Sequence, residues 1–180
     1  MTAPQDRAST LVNAWQTELP DVLDATTELS KRIMLLAADL DEATRRELPE
    51  FGLTPAQFGV LVALRRAGAP YRLKPTELSR ALLLSSGGTS NITNHLVAEG
   101  LAERLPDQGD GRGTLISLTA RGVQVAENAV RANAAAHAEV WRGAPAAAIE
   151  AATLALREIA AATENPRPRR SARGGGGGGG

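Results

Sequence analysis

The chain of 180 residues contains no cysteine. That absence excludes a disulfide scaffold, a thiolate zinc site and a cysteine-based redox switch. The sequence also lacks any run approaching about 18 uninterrupted apolar residues, so no segment is expected to span a membrane. Its N-terminus has no basic region followed by an apolar stretch, the pattern of a secretion signal. We therefore expect a soluble protein of the cytoplasm.

Groups that carry catalysis or bind metals are equally scarce. His95 and His137 are the only histidines, and without cysteine they argue against a dedicated transition-metal site. The sequence contains no nucleophile–base pair, nucleotide-binding loop or metal motif. We expect neither an enzyme nor a bound cofactor or metal. His137 falls on an apolar helical stripe, where a hydrogen-bonded core residue is the expected interpretation.

Charge is balanced overall but unevenly distributed. The chain carries 20 basic and 20 acidic residues, and a net charge of zero argues against a generic nucleic-acid coat. Residues 1–60 hold five basic and ten acidic side chains, whereas residues 61–125 hold eight basic and five acidic ones. The middle of the chain can therefore present a basic face that the total conceals.

Two amphipathic helices are predicted before residue 50. Residues 8–19 place Trp15 at the centre of an apolar i, i+4, i+8 stripe, and Pro20 ends that helix. A lone Trp on such a stripe is usually a core residue, and a ligand-lining role is the alternative. A longer helix is predicted over residues 21–48. Its apolar stripe consists of Val22, Leu29, Ile33, Leu36 and Leu40.

The middle of the chain predicts a helix-turn-helix. Thr54-Pro55 is an N-cap followed by proline at the first helical position. Lys74-Pro75 opens a further short helix, and only three or four residues separate it from another that begins near Ser85. The segment 86–99 is rich in Ser, Thr and Asn, which are poor interior helix formers but reach base edges and phosphates well. A helix built from such residues is expected where a functional role outweighs helix propensity.

A hairpin follows this helix. Residues 101–105 and 114–118 are predicted strands, and the polar loop 106–113 between them contains three glycines. Thr119 is the predicted cap of the next helix. Residues 51–122 therefore read as a winged helix-turn-helix for binding DNA.

The remaining chain is predicted to be helical and then disordered. Residues 123–163 form two striped helices, broken at Gly143-Ala144-Pro145, and residues 164–180 are a Pro, Arg and Gly tail without periodicity. Such stripes need a partner surface, which a second copy would supply. The expected fold is mainly α with a small β-wing. In it the winged helix-turn-helix is flanked by dimerisation helices at residues 8–50, which also have room for a ligand pocket, and at residues 123–163.

The chain resembles the MarR family of bacterial transcriptional regulators over roughly residues 20–163. The most specific match is residues 73–122, in which a PTEL run, SSGG, Asn91 and a GL pair precede a wing with Asp110-Gly111-Arg112 and then Leu118-Thr119. The resemblance implies a homodimer on a palindromic operator in double-stranded DNA. It also implies a cytoplasmic, nucleoid-associated protein with a small-molecule pocket between the dimer helices and the DNA-binding lobe.

The candidate DNA contacts follow from groove chemistry. Asn suits bidentate contact with adenine, while Ser and Thr suit backbone oxygens, and a helix N-terminus attracts a phosphate. Arg112 at the wing tip is expected to enter a minor groove, and Asp110 to hold the loop. Further phosphate contacts are expected from Arg65, Arg66 and Arg72. The DNA-binding set is Ser85, Ser86, Thr89, Ser90, Asn91, Asn94, His95, Arg80, Lys74, Asp110 and Arg112.

Two departures from the family pattern bear on function. Ile92 and His95 stand where many members have arginine, so the helix 86–99 has no Lys or Arg. A narrower resemblance to the urate-responsive branch rests on Trp15 and Arg104, which are the candidate ligand-binding residues for a flat aromatic or phenolic compound. That branch has an acidic residue where this chain has Gly59.

Two functions remain open at this stage. The first is a ligand-responsive, dimeric DNA-binding repressor. The alternative is a winged-helix interaction module that has lost DNA readout, as the helix without arginine suggests.

Overall fold

The computed structural model describes residues 6–107, 109 and 113–164. The chain divides into two compact units, Met1–Val140 and Trp141–Gly180. The described residues form seven α-helices, two 3₁₀ turns and three strands. The helices are α1 (Arg7–Glu18), α2 (Ala25–Glu47), α3 (Pro55–Arg66), α4 (Pro75–Leu82), α5 (Ser86–Ala98), α6 (Ala120–Val140) and α7 (Ala146–Glu164).

The three strands form one small antiparallel sheet. They are β1 (Arg72–Leu73), β2 (Ala102–Pro106) and β3 (Thr114–Leu118), in the order β1-β3-β2. β2 and β3 are the predicted wing strands. β1 was not predicted, because two residues are too short to display the alternation that identifies a strand. The mainly α fold with a small β-wing is confirmed.

The predicted helix over residues 21–48 is shorter at its start. Pro20–Val22 form a separate 3₁₀ turn, and Asp24 caps α2 by accepting from the Thr27 N–H at 2.7 Å. Hydrogen bonds from the Thr26 hydroxyl and then from Thr27 lower the pKa of Asp24 to about 2. A carboxylate cap this well supplied with donors sets the start of a helix more strongly than an apolar periodicity does.

The core lies where α3 meets α4, α5, α6 and the sheet. Capping contacts hold α3 at this centre: Thr54 accepts from the Gln57 N–H, while the Gln57 side chain accepts from the Thr54 N–H. The side chains that fill the core are apolar and fully buried. They include Leu48, Val60, Leu61, Leu64, Leu78, Leu96 and Ile116.

The predicted stripes of α1, α2 and α7 remain largely exposed within their own units, whereas Ala126 of the α6 stripe is buried. Trp15 is 44% exposed and Ile33 is 42% exposed, so Trp15 is not a core residue of this chain. In the second unit every side chain described on α7 is exposed, including Leu154 and Leu156. The predicted hydrogen bond of His137 is confirmed, since its Nε2 lies 2.9 Å from Thr44 Oγ1. His137 is half-buried rather than a core residue.

The described helices provide no membrane span, because none of them is both long and apolar enough to cross a bilayer.

Candidate nucleic-acid interface

The turn between α4 and α5 consists of residues 83–85. Leu83 adopts the left-handed conformation with φ of 54°, and the N–H of Leu84 donates to the Ser79 carbonyl at 3.0 Å, which ends α4. Ser85 begins α5 as its N-cap, because its hydroxyl accepts from the Gly88 N–H at 3.1 Å. The predicted helix-turn-helix is therefore formed by these local hydrogen bonds.

Buried threonines fix α5 against α4. Thr89 is 1% exposed, and its Oγ1 lies 2.8 Å from Ser79 Oγ on α4 while donating to the Ser85 carbonyl at 3.1 Å. Thr93 is also buried and donates to the Thr89 carbonyl at 2.9 Å. The Thr89 side chain therefore faces the protein interior, which corrects its prediction as a DNA contact. Threonine composition alone does not reveal which face of a helix it occupies.

The outer face of α5 carries hydrogen-bonding side chains. The exposed residues are spaced by four along the helix, which aligns them on one surface. None of them is Lys or Arg. The set comprises Ser86, Ser90, Asn91, Asn94 and His95, with Ser85 exposed at the N-terminus.

The N-terminus of α5 is open to an approaching group. A Cβ atom built on Gly87 would meet nothing within 4 Å. The first backbone N–H groups of a helix lack intrahelical acceptors and bind anions well. This end of α5 is thus chemically suited to a phosphate.

One of the predicted phosphate contacts, Arg65, is engaged within the protein. Arg65 donates to Glu127 Oε1 through Nε at 3.0 Å and Nη2 at 2.9 Å, and it stacks over the Tyr71 ring at 4.7 Å. Hydrogen bonds from Arg65 and then Arg131 lower the pKa of Glu127. The Arg65 prediction is therefore corrected: this side chain joins α3 to α6. Arg66, Arg72 and Arg80 are exposed.

Lys74 connects the helix-turn-helix to the wing. Its Nζ lies 2.9 Å from Asp107 Oδ2, and this contact holds the pKa of Asp107 below its usual range. The Asp107 N–H donates to the Gly113 carbonyl at 2.9 Å, which closes the hairpin loop. The predicted contacts Asp110 and Arg112 lie outside the described residues.

The C-terminal end of α5 is fixed to the start of α6. Thr119 Oγ1 donates to the Gly100 carbonyl at 2.8 Å and accepts from the Gly122 N–H, as the predicted cap requires. Arg121 Nη1 donates to the Glu99 carbonyl at 2.9 Å, where a cation complements the helix dipole. These hydrogen bonds join the C-terminal end of α5 to the start of α6.

The two predicted ligand residues occupy different places. Trp15 lines a cavity of about 320 Å³ formed by α1, the first 3₁₀ turn and α2. Arg104 lies on β2, where its Nη2 donates to Asn94 Oδ1 at 2.8 Å. Gly59 packs against Leu82, since a Cβ there would lie 3.2 Å from Leu82 Cδ2. The residues around the Trp15 cavity are Trp15, Leu19, Val22, Leu23, Thr27 and Lys31.

Comparison with known proteins adds relatives of the same architecture. The MarR family profile matches residues 51–113. The chain is 32% identical to the HTH-type transcriptional regulator PecS of Dickeya dadantii over 118 residues, covering 63% of this chain and 69% of that protein. It is 31% identical to the multiple antibiotic resistance protein MarR of Escherichia coli over 107 residues, covering 59% of this chain and 72% of that protein.

Solved structures of MarR proteins are similar to this chain as well. The crystal structure of wild-type MarR from E. coli in its apo form has a TM-score of 0.66 at 25% identity, covering 77% of this chain and 98% of that chain. The crystal structure of a MarR variant from E. coli complexed with operator DNA has a TM-score of 0.63 at 25% identity, covering 81% of this chain and 96% of that chain. The relatives are regulators and not enzymes. With a helix-turn-helix, a wing and these relatives, the chain belongs to the MarR family of transcriptional regulators.

Proposed function

We propose that this MarR-family regulator is a repressor that binds double-stranded DNA as a homodimer on a palindromic operator. The observation that supports it best is the exposed polar face of α5, held in place by Thr89 and Thr93 behind it. The similar MarR structure in complex with operator DNA supports the same use of the fold. Action on the chromosome would make the protein cytoplasmic and nucleoid-associated.

The exposed side chains of α5 match the chemistry of the major groove. Asn91 has no hydrogen-bond partner among the described residues, so its amide is available for a bidentate contact with adenine. Ser86 and Ser90 lie one turn apart toward the N-terminus, where hydroxyls and backbone N–H groups suit phosphates. Because α5 has no Lys or Arg, few phosphates are neutralised there, and we expect a shallow dependence of affinity on salt.

Asn91→Ala is expected to weaken binding to the preferred duplex by about 1–3 kcal/mol while leaving non-specific binding nearly unchanged. The measurement is fluorescence anisotropy on duplexes from the protein's own upstream region, with excess non-specific DNA. Asn128→Ala is the matched control, because Asn128 is also exposed but lies on α6. Equal losses of affinity for the preferred duplex in the two variants would show that α5 is not the DNA-reading face.

The alternative is a winged-helix interaction module without DNA readout. The absence of Lys and Arg from α5 favours it, and so does Ile92, a half-buried apolar residue where many members have arginine. The same titration separates the two functions. An interaction module would bind all duplexes as weakly as it binds the competitor.

The homodimer is proposed from the uncovered apolar surface. Leu29, Ile33 and Leu36 form a continuous stripe on α2, each more than a third exposed, and α7 exposes Leu154 and Leu156. Large contiguous apolar surface is uncommon on a monomer. A second copy of the chain would supply a surface to cover each stripe.

Ile33→Glu is expected to convert the dimer to monomer at low micromolar concentration, because it would bury an unpaired carboxylate in the interface. Sedimentation velocity measures the change. Ala38→Glu is the control, since Ala38 is exposed on the opposite side of α2 and introduces the same charge. A wild-type protein that sediments as a folded monomer would refute the dimer and, with it, the palindromic operator.

We further propose that a small aromatic or phenolic anion releases the protein from DNA, and that it binds in the Trp15 cavity. The indole offers an aromatic wall, and Lys31, a half-buried residue, offers its ammonium as a counter-charge. α2 packs on α6, and α6 holds the end of α5, so a shift of α2 can reach the DNA face. A tenfold loss of DNA affinity requires about 1.4 kcal/mol of preference for the non-binding arrangement.

Titration of small phenols, aromatic acids and urate tests this site. We expect tryptophan fluorescence to be quenched in wild type, and the quenching to be lost in Lys31→Met together with the effect on DNA binding. Arg45→Met is the control, since Arg45 is an exposed cation on the same helix but does not line the cavity. Quenching that persists in Lys31→Met would place the ligand elsewhere.

A further inference from the structure

Arg104 of the wing places a positive charge beside α5, the proposed recognition helix. It lies on β2, opposite Ile116 of β3, and its Nη2 donates to Asn94 Oδ1 at 2.8 Å. A longer contact of 3.5 Å joins the same nitrogen to Thr93 Oγ1. Both Arg104 and Asn94 are exposed. The two side chains therefore form one unit on the surface that carries Asn91.

The guanidinium fixes the orientation of the Asn94 amide. Arginine has only donors, so the atom of Asn94 that faces it is the carbonyl oxygen, an acceptor. The NH₂ group is on the other side of the amide carbon and stays available to an acceptor outside the protein. An asparagine held in this way differs from Asn91, whose amide is free to offer both its acceptor and its donor.

Among the described residues, no carboxylate forms an ion pair with Arg104. Within the part of the chain that the structure describes, its hydrogen bonds go only to Asn94 and Thr93, and it forms no ion pair. Arg65, in contrast, is paired with Glu127. Arg104 thus supplies beside α5 the cation that the sequence of α5 lacks.

A unit of this kind distinguishes purines in the major groove. Guanine presents two acceptors there, N7 and O6, whereas adenine presents the N7 acceptor and the N6 amino donor. The Asn94 NH₂ and the remaining guanidinium N–H groups are all donors. The positive edge of an adenine amino group would meet the cationic guanidinium, which is unfavourable, while both guanine acceptors would be attracted.

We propose that Arg104 is a specificity-determining residue of the DNA face, which holds Asn94 with its NH₂ group outward so that the pair selects guanine over adenine. This assignment rests on the proposed DNA-binding function. It places Arg104 in base selection rather than in the ligand pocket, and it gives Asn94 a different preference from Asn91.

The test is a set of duplexes that differ at one base pair. The varied position is the one at which Asn94→Ala loses the base selectivity that wild type shows. We expect wild type to favour guanine over adenine there by at least tenfold, and Arg104→Met to reduce the ratio to near one or invert it. Arg80→Met is the matched control: it removes an exposed arginine from α4 and should weaken all duplexes equally.

A second variant keeps the test independent of any loss of folding. Asn94→Asp retains a partner for Arg104 but replaces the NH₂ donor with an acceptor, so it should abolish the guanine preference and favour cytosine. An unchanged guanine-to-adenine ratio in Arg104→Met, or a uniform loss like that of Arg80→Met, would overturn the assignment. A wild-type protein that selects no duplex at all would instead overturn the proposed function itself.

Discussion

Gly122→Ala is expected to lower the free energy of unfolding by about 3 kcal/mol, the upper end of the cost of overpacking. A Cβ built on Gly122 would lie 2.9 Å from the carbonyl carbon of Leu101 and closer still to its oxygen. The obstacle is backbone, which cannot rotate away as a side chain does. The α6 helix would have to separate from the segment that follows α5. Thermal unfolding at fixed protein concentration should show a decrease in Tm of roughly 6–12 °C.

Gly87→Ala is the matched control for this prediction. Gly87 lies within α5, and a Cβ there meets nothing within 4 Å. Since alanine is a better helix former than glycine, this variant should be more stable than wild type by up to about 1 kcal/mol. Two equally stabilised variants would mean that α6 does not approach Leu101 as closely as described.

Leu96→Ala is expected to cost about 2–5 kcal/mol of stability and to reduce DNA affinity more than any exposed substitution on α5. Leu96 is fully buried on the inner side of α5, in the core shared with Leu61, Leu64 and Leu78. Removing its side chain leaves a cavity beneath the recognition helix. The measurements are chemical denaturation and DNA titration on the same samples.

Leu83→Ala is the control for Leu96→Ala, because it makes the same substitution at an exposed leucine. Leu83 is 94% exposed in the turn before α5. Because it loses few packing contacts, its truncation should change stability by less than about 0.5 kcal/mol. Comparable losses in Leu83→Ala and Leu96→Ala would contradict the described packing of α5.

Local signals predicted the elements of this fold well. Thr54-Pro55, Lys74-Pro75 and Ser85 mark the starts of α3, α4 and α5 because caps and proline act through adjacent backbone groups. Thr119 was predicted as a cap for the same reason, and its hydroxyl accepts from Gly122. These signals need no knowledge of the tertiary structure.

Contacts between distant residues could not be predicted in the same way. The engagement of Arg65 by Glu127 joins residues 62 positions apart, and nothing in either neighbourhood indicates the pairing. The burial of Thr89 depends on Ser79 of the preceding helix, although composition alone suggested a DNA contact. The contact of Arg104 with Asn94 likewise appears only once β2 has folded back beside α5.

The exposure of Trp15 could not be predicted for a different reason. Its periodic stripe correctly indicated an apolar helical face, but periodicity does not state whether the same chain or another one covers that face. Within this chain the Trp15 side chain remains 44% exposed. The pattern thus predicts an apolar helical face without stating what covers it.

Hydroxyl-radical footprinting on a duplex from the protein's own upstream region tests the central claim most directly, because it reports DNA binding, symmetry and spacing together. With excess non-specific competitor, wild type should protect two segments related by two-fold symmetry. Their centres should lie about 10–10.5 base pairs apart, and Asn91→Ala should reduce the protection of both at the same protein concentration. Folded protein that leaves the duplex uniformly cleaved, with no segment protected over the competitor, would contradict sequence-specific DNA binding through α5.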